Sequence, residues 1–293
     1  MNNNSVTQAK MKNKKVIIKD INLPLTRLHY AKCGSGPPLI IVPATMSYIS
    51  AWTGLIQFMS QKFTTYFFEL PGYGSTPFKE NFSSKLVAKT VESFADNLEI
   101  KKFSIMGFSF GGILTLSTVD YLKDRIDKVI LLSPCVSKRA MQFSRKRLVI
   151  ARLTVLFFKN NFIRELVFKF INNKRFGKHL IFGVRKFGKI EETIPIEKIL
   201  IKMPKYTLDV LAYQANEILN FEISNLNVPF NNNCHFAMSV NDPLLNFNKT
   251  EEMIRKNFKS CFVSKFYYPY HQLPENPTVD WLNKEYGELL KSF

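Results

Sequence analysis

The sequence predicts an α/β protein in which a mostly parallel sheet is covered by helices on both faces. Short apolar runs alternate with helical patterns along the first half of the chain, and this alternation is typical of parallel sheets. Residues 39–42 are apolar at every position, which indicates a strand buried on both faces. Between about residues 137 and 226 the alternation stops, which predicts a helical insertion.

The predicted elements follow in order after a polar, basic N-terminal tail. The first two strands are short and antiparallel, and the turn after them, residues 34–38, is rich in Gly and Pro. Most of the later strands are apolar runs that lead through a loop into a helical pattern. The predicted strands are 15–19, 26–31, 39–42, 65–70, 103–106, 129–132, 235–240 and 262–268, and the predicted helices are 52–59, 86–98, 113–119, 249–258 and 279–290.

Chain length and cysteine spacing restrict the class of protein. With 293 residues and 46% hydrophobic content, the chain can bury one large core. Its four cysteines are far apart, which argues against a zinc site or a disulfide framework and fits a reducing compartment. The N-terminus lacks the apolar core of a signal peptide, and no apolar run reaches the roughly 20 residues of a membrane span. We therefore expect a cytoplasmic protein that needs no metal or cofactor.

The stretch around Ser109 carries the strongest chemical signal. An apolar run leads directly into Gly107-Phe108-Ser109-Phe110-Gly111, and a helical pattern follows. In a strand–turn–helix of this kind the serine is held in a strained conformation, and side chains at the two glycine positions would collide with the turn. Ser109 would then stand at the tip of the turn, and the N–H of Phe110 would face developing negative charge at a helix N-terminus.

Two further residues complete a nucleophilic arrangement. Ser109, Asp242 and His271 each follow a predicted strand, and ligands of open α/β sheets bind beyond the carboxyl ends of strands. A serine hydroxyl needs a histidine base, and that histidine needs a carboxylate to fix its tautomer. The run after strand 129–132, Ser133-Pro134-Cys135, contains no acid, which leaves Asp242 as the candidate carboxylate.

Several motifs resemble those of the α/β-hydrolase superfamily, in which the chain order of the triad is also Ser, Asp, His. Residues 34–38 resemble the turn before the third strand, residues 69–75 resemble the Asp-x-x-Gly-x-Gly-x-Ser loop, and residues 271–277 resemble the segment that carries the histidine. The resemblance covers about residues 27–290 except the insertion. It implies an α/β-hydrolase fold with a mostly parallel eight-stranded sheet, a core formed by residues 1–136 and 227–293, and a helical cap at 137–226.

The resemblance also implies roles for individual residues. Ser109, Asp242 and His271 would be catalytic, and the backbone N–H groups of Thr45 and Phe110 would form the oxyanion hole. Candidate substrate-pocket residues are Met46, Phe108 and Trp52. The chain departs from the family pattern in two places, because Pro43-Ala44 replaces the usual His-Gly and Glu69 replaces the loop Asp. A changed loop at Thr45 would weaken catalysis without abolishing it, since one oxyanion donor contributes roughly 3 kcal/mol.

These residues predict a serine hydrolase that cleaves a carboxylic ester or thioester, with an apolar acyl substrate and a role in lipid metabolism. A serine at the turn between strand and helix argues against the alkyl-enzyme chemistry of dehalogenases and epoxide hydrolases of this fold, which use aspartate at that position. The alternative is a non-hydrolytic protein on the same scaffold: a lyase, an acyltransferase or a binding protein with a degenerate oxyanion hole.

The positive charge of the chain is concentrated in the insertion. Of the net charge of +18, +14 lies between residues 136 and 206, where 18 Lys and Arg stand against four acidic residues. This asymmetry favours an anionic membrane surface or an acidic carrier protein as partner. In the first case the enzyme would be peripheral to the membrane. The sequence contains no recognition motif for nucleic acid, which argues against nucleic acid as a partner. Biased composition alone is the simpler explanation of the charge.

The insertion is also rich in phenylalanine. The simpler expectation is that these side chains pack into the cap's own core: Phe143, Phe157, Phe158, Phe162, Phe168, Phe170, Phe176, Phe182 and Phe187.

Overall fold

The computed structural model describes residues 15–171, 179, 182–183, 185–186, 204–274 and 276–293. Its central feature is one eight-stranded sheet with the strand order β1-β2-β4-β3-β5-β6-β7-β8. The first three strands in this order pair antiparallel, and all later neighbours pair in parallel. The strands are β1 Ile17–Asn22, β2 Arg27–Cys33, β3 Pro38–Val42, β4 Thr64–Phe68, β5 Phe103–Phe108, β6 Ile126–Leu132, β7 Phe230–Ser239 and β8 Phe258–Phe266. The predicted fold class is confirmed.

Helices cover both faces of this sheet. Alternate residues along each strand contact different helix layers, so that Leu39 and Ile41 pack on one side while Ile40 and Val42 pack on the other. Helices α1 and α8 lie on the first side, and α2, α3 and α7 on the second. The helices are α1 Ile49–Met59, α2 Ser84–Asn97, α3 Phe110–Leu122, α4 Arg145–Phe158, α5 Asn161–Ile171, α6 Lys205–Asn220, α7 Phe247–Asn257 and α8 Val279–Lys291.

The described part of the insertion between β6 and β7 is helical. Helices α4, α5 and α6 pack against one another there. Arg164 of α5 is buried and donates to Asp209 of α6 and to the carbonyl oxygens of Phe158 and Lys159, which joins all three helices. Because a buried guanidinium needs several acceptors, this network stabilises one arrangement of the helices. The exact limits of core and cap domains remain predictions.

Two sequence-based expectations were wrong in detail. Strand β7 begins at Phe230 and β8 begins at Phe258, five and four residues before their predicted starts at 235 and 262, because polar residues such as Asn233 also pair through their backbone. The phenylalanines of the insertion do not all pack into its core. Of the seven in the described residues, Phe157, Phe162, Phe170 and Phe182 are exposed, while Phe176 and Phe187 lie outside the described residues.

No helix in the described ranges is both long and apolar enough to cross a bilayer.

Candidate active site

Ser109 occupies a sharp turn between the central strand β5 and helix α3. Its backbone has φ 52° and ψ −118°, a conformation that non-glycine residues rarely adopt. The flanking glycines make the turn possible. A Cβ on Gly107 would overlap the Gly111 carbonyl oxygen, and a Cβ on Gly111 would overlap that of Val42. The turn therefore requires glycine at both positions and holds the Ser109 side chain at the carboxyl edge of the sheet.

Three side chains from separate loops meet at this edge. The Oγ of Ser109 lies 2.7 Å from Nε2 of His271, and Nδ1 of His271 lies 2.7 Å from Oδ2 of Asp242. Asp242 and His271 are both buried. In this geometry a neutral imidazole donates from Nδ1 to the carboxylate and accepts the serine proton at Nε2. The structure thus brings together the three residues that the sequence predicted as a triad.

The loop after β7 fixes the carboxylate of Asp242. Its Oδ1 accepts the N–H groups of Leu244 and Leu245 at 2.8 and 2.9 Å, which leaves Oδ2 for the histidine. The side-chain amide of Gln142, at the start of the insertion, donates to the carbonyl oxygens of Asp242 and Leu245. Sequence analysis did not identify Gln142, because no local pattern connects it with a loop 100 residues away.

The imidazole of His271 is supported from one side by Phe108. The two rings stack with their centroids 5.6 Å apart, and the ring of Trp52 lies tilted against Phe108 with a centroid distance of 5.4 Å. Phe108 and Trp52 belong to the core cluster between the sheet and helices α1 and α8. Met46, in contrast, packs against Ile171 and Leu208 of the insertion between β6 and β7. Met46 therefore contacts the insertion. Substrate contact remains a prediction for all three proposed pocket residues.

The loop between β3 and α1 lies beside the serine turn, because β3 and β5 are neighbours in the sheet. Gly111 approaches the carbonyl groups of Val42 and Pro43, so that the loop carrying Thr45 starts next to the N-terminus of α3. The positive φ in this loop falls at Met46 (52°). Ala44, where the family usually has glycine, is not among the positive-φ residues. Because Gly111 lies beside Val42 and Pro43, the segments that carry the two predicted oxyanion donors, Thr45 and Phe110, are adjacent.

Glu69, the second departure from the family pattern, supports the same loop. Its buried carboxylate accepts the N–H of Ile49, the first residue of α1, at 2.8 Å. Gly74 stands opposite, and a Cβ there would overlap the Glu69 carboxylate. Burial raises the pKa of Glu69, and the backbone hydrogen bond from Ile49 partly opposes this change. The longer side chain therefore fits because the neighbouring position is glycine.

A residue that sequence analysis did not assign to the site, Cys135, contacts Ser109. Its N–H donates to the Ser109 carbonyl oxygen at 2.9 Å, and its thiol hydrogen-bonds the Ser109 side chain. Burial raises the pKa of this thiol to about 12, against the smaller opposing effect of that hydrogen bond. Cys135 is therefore a neutral thiol at physiological pH, and it follows β6, the other neighbour of β5.

The remaining histidines lie elsewhere. His29 pairs with Asp20 across β1 and β2 at 3.0 Å, His235 contacts Ser292, and His179 is exposed. Within the residues that the structure describes, no group of three or more His, Cys, Asp or Glu side chains is arranged to hold a metal ion.

Comparisons with known proteins agree with this architecture. A family model described as the alpha/beta hydrolase fold matches residues 37–172. A curated relative, the pimeloyl-(acyl-carrier protein) methyl ester esterase of Nitrosomonas europaea, is 25% identical over 118 residues, which are 40% of this chain and 45% of the relative. The chain spans less than half of the length of the curated relatives that it matches.

Solved structures match over nearly the whole chain. An alpha/beta fold family hydrolase from Bacillus anthracis aligns with a TM-score of 0.66 and 17% identity, covering 94% of this chain and 99% of the other. A membrane phospholipase A described as a bacterial virulence factor aligns with a TM-score of 0.68 and 13% identity, covering 94% and 86%. At these identities the likeness establishes the fold alone.

Proposed function

Because this chain belongs to the α/β-hydrolase superfamily, we propose that it is a serine hydrolase that cleaves a carboxylic ester or thioester through an acyl-enzyme. The observation that supports this most directly is the chain of contacts from Ser109 Oγ to His271 to Asp242, with 2.7 Å at each step. Serine at this turn, with a histidine base and a carboxylate, is the arrangement of acyl-transfer enzymes. The similarity to an ester-cleaving relative agrees with this class of reaction.

In the proposed acylation, His271 Nε2 removes the Ser109 proton while Oγ attacks the carbonyl carbon of the substrate. Negative charge develops on the carbonyl oxygen, where the N–H groups of Thr45 and Phe110 would donate. The protonated imidazole, stabilised by Asp242, then gives its proton to the leaving alcohol or thiol as the ester bond breaks. Water repeats the sequence on the acyl-enzyme, with His271 as base, and releases the acid and free Ser109.

An apolar acyl group is the substrate feature that the surroundings favour. Met46, next to the proposed oxyanion donor Thr45, packs with an apolar cluster from the cap: Phe158, Val167, Phe168, Ile171, Leu208 and Leu211. A pocket lined by such side chains gains free energy by removing an acyl chain from water. Ester and thioester carbonyls would both fit this chemistry, and a panel of acyl lengths and head groups would separate them.

Labelling with a fluorophosphonate probe tests the proposal, because only an activated serine reacts with it. We expect labelling of the wild type and hydrolysis of p-nitrophenyl esters, with both lost in Ser109→Ala. Ser117→Ala, on helix α3, is the matched control and should keep both. Absence of labelling in the folded wild type would overturn the proposal and favour the binding protein. Labelling at Ser109 without hydrolysis of any ester or thioester would favour the lyase or acyltransferase.

A further inference from the structure

Helix α4 of the cap presents an apolar face to solvent. Val149, Ile150, Leu153, Leu156 and Phe157 are each between 50% and 60% exposed. Their spacing of i, i+1, i+4, i+7 and i+8 places them on one side of a helix. These five residues are called the outer face of α4. Soluble proteins rarely expose so many large apolar side chains next to one another unless a partner covers them.

The opposite side of α4 faces the protein. Val155 is buried, and Phe158 packs in the cluster that includes Met46. Because the inner side already fills the cap core, the outer face is not needed to line the space beside Ser109. Helix α5 repeats the pattern, since Phe162, Leu166 and Phe170, spaced at i, i+4 and i+8, are also exposed.

Positive charge accompanies the outer face. Helix α4 and the residue after it carry five basic residues and no acidic one: Arg145, Lys146, Arg147, Arg152 and Lys159. Arg145, Arg152 and Lys159 are exposed and follow one another at seven-residue intervals, which places them along one edge of the outer face. An exposed apolar strip therefore has a basic border along its length.

We propose that the outer face of α4 docks on the surface of a lipid bilayer that contains anionic headgroups. Apolar side chains of an interfacial helix enter the boundary of the acyl region, while Lys and Arg beside them reach lipid phosphates. An acidic carrier protein or a nucleic acid would satisfy the charges but would leave the apolar strip in water. This docking does not depend on the proposed catalytic activity, so it can be tested with inactive protein.

Sedimentation of the full chain with vesicles tests the proposal. The probes are vesicles of phosphatidylcholine alone and of phosphatidylcholine mixed with phosphatidylglycerol. We expect binding to the mixed vesicles, with weaker binding as salt rises above about 0.15 M, where the Debye length is about 8 Å. Equal binding to both vesicle types, or to neither, would overturn the proposal.

Two pairs of variants separate the apolar and the charged contributions. Leu156→Gln with Phe157→Gln should lower vesicle affinity at least about tenfold, whereas Ile17→Gln with Ile18→Gln, an exposed apolar pair on β1, should not. Arg145→Glu with Arg152→Glu should lower it by more than about tenfold, since one basic residue near such a surface contributes about fivefold. Lys85→Glu with Lys89→Glu makes the same change of net charge on α2 and should have a much smaller effect.

The outcomes with the two pairs of variants distinguish binding by charge alone from docking through the outer face. If only the arginine pair matters and the glutamine pair binds normally, the vesicles are bound by charge alone and the proposal that the outer face docks on the bilayer is wrong. Insertion is measured separately with Phe157→Trp, whose fluorescence should shift to the blue on mixed vesicles and be quenched by brominated lipid. An unshifted spectrum on bound protein would contradict insertion of the outer face.

Discussion

The side-chain amide of Gln142 donates to the carbonyl oxygen of Asp242 at 2.6 Å and to that of Leu245 at 3.0 Å. The backbone N–H of Gln142 also donates to the carbonyl oxygen of Leu244. The first residues of the insertion between β6 and β7 are thus attached to the loop that carries the proposed triad carboxylate. Gln142 does not touch the reacting atoms, so its role in the proposed reaction is to position Asp242.

Replacing Gln142 by leucine should affect turnover more than binding. Two carbonyl oxygens lose their donor, which costs about 1–3 kcal/mol and lets the loop shift. We expect kcat for a p-nitrophenyl ester to fall about tenfold with KM unchanged. Gln61→Leu, which removes a side-chain bond to Asn283 instead, is the control. An unchanged kcat in a stable Gln142→Leu protein would show that the contact is only structural.

Asp242→Asn should lower kcat by up to about 10⁴-fold while the fold is retained. Asparagine can keep its oxygen on the Leu244 and Leu245 N–H groups, but its NH₂ would face His271 Nδ1. The imidazole proton would then move to Nε2, where it blocks acceptance of the Ser109 proton. Asp20→Asn removes a similar His–Asp pair, with His29, and should leave turnover unchanged. Comparable kcat values for the two variants would contradict the proposed role of Asp242.

The serine turn should not tolerate a methyl group. In Gly107→Ala the new Cβ would overlap the Gly111 carbonyl oxygen and the Thr115 side chain, so we expect a loss of about 3 kcal/mol or more, or no folded protein. Gly287→Ala lies in helix α8 with open space around it, and should stabilise the protein by about 0.5–1 kcal/mol. Urea unfolding of the two variants measures both values, and a stable Gly107→Ala protein would show that the turn is not strained as described.

His235 should make the protein less stable in mild acid. Burial, assisted by the charge of Lys128, lowers the pKa of His235 from 6.5 to about 4. Between these values the unfolded chain binds a proton that the folded chain does not, so the free energy of unfolding falls as pH drops from 6.5 towards 4. In His235→Asn this part of the pH dependence should be absent, although the lost contact with Ser292 lowers stability at every pH. Parallel slopes for wild type and variant would refute the assignment.

Local patterns in the sequence determined much of the architecture. Runs such as residues 39–42 are apolar because their strands are buried on both faces, and that requirement is visible without knowledge of the partners. The requirement for glycine at position 107 is equally local, since a Cβ there would overlap the Gly111 carbonyl oxygen of the same turn. At Gly111 the side chain is excluded by Val42 of the neighbouring strand β3. The parallel order of the sheet brings the carboxyl ends of its strands to one edge. Three residues that follow strand ends, Ser109, Asp242 and His271, therefore meet there.

Contacts between distant segments were decided by the tertiary structure alone. Gln142 and Cys135 reach the site because the chain after β6 packs against loops from other strands, and nothing in their own neighbourhood indicates this. Most residues at the start of β7 are polar and belong to the sheet through their backbone. The pattern of side chains therefore could not indicate where this strand begins. The direction in which the apolar side of α4 points depends on where the other helices of the insertion pack. A sequence records the periodicity of a helix, whereas its partners decide which face remains in solvent.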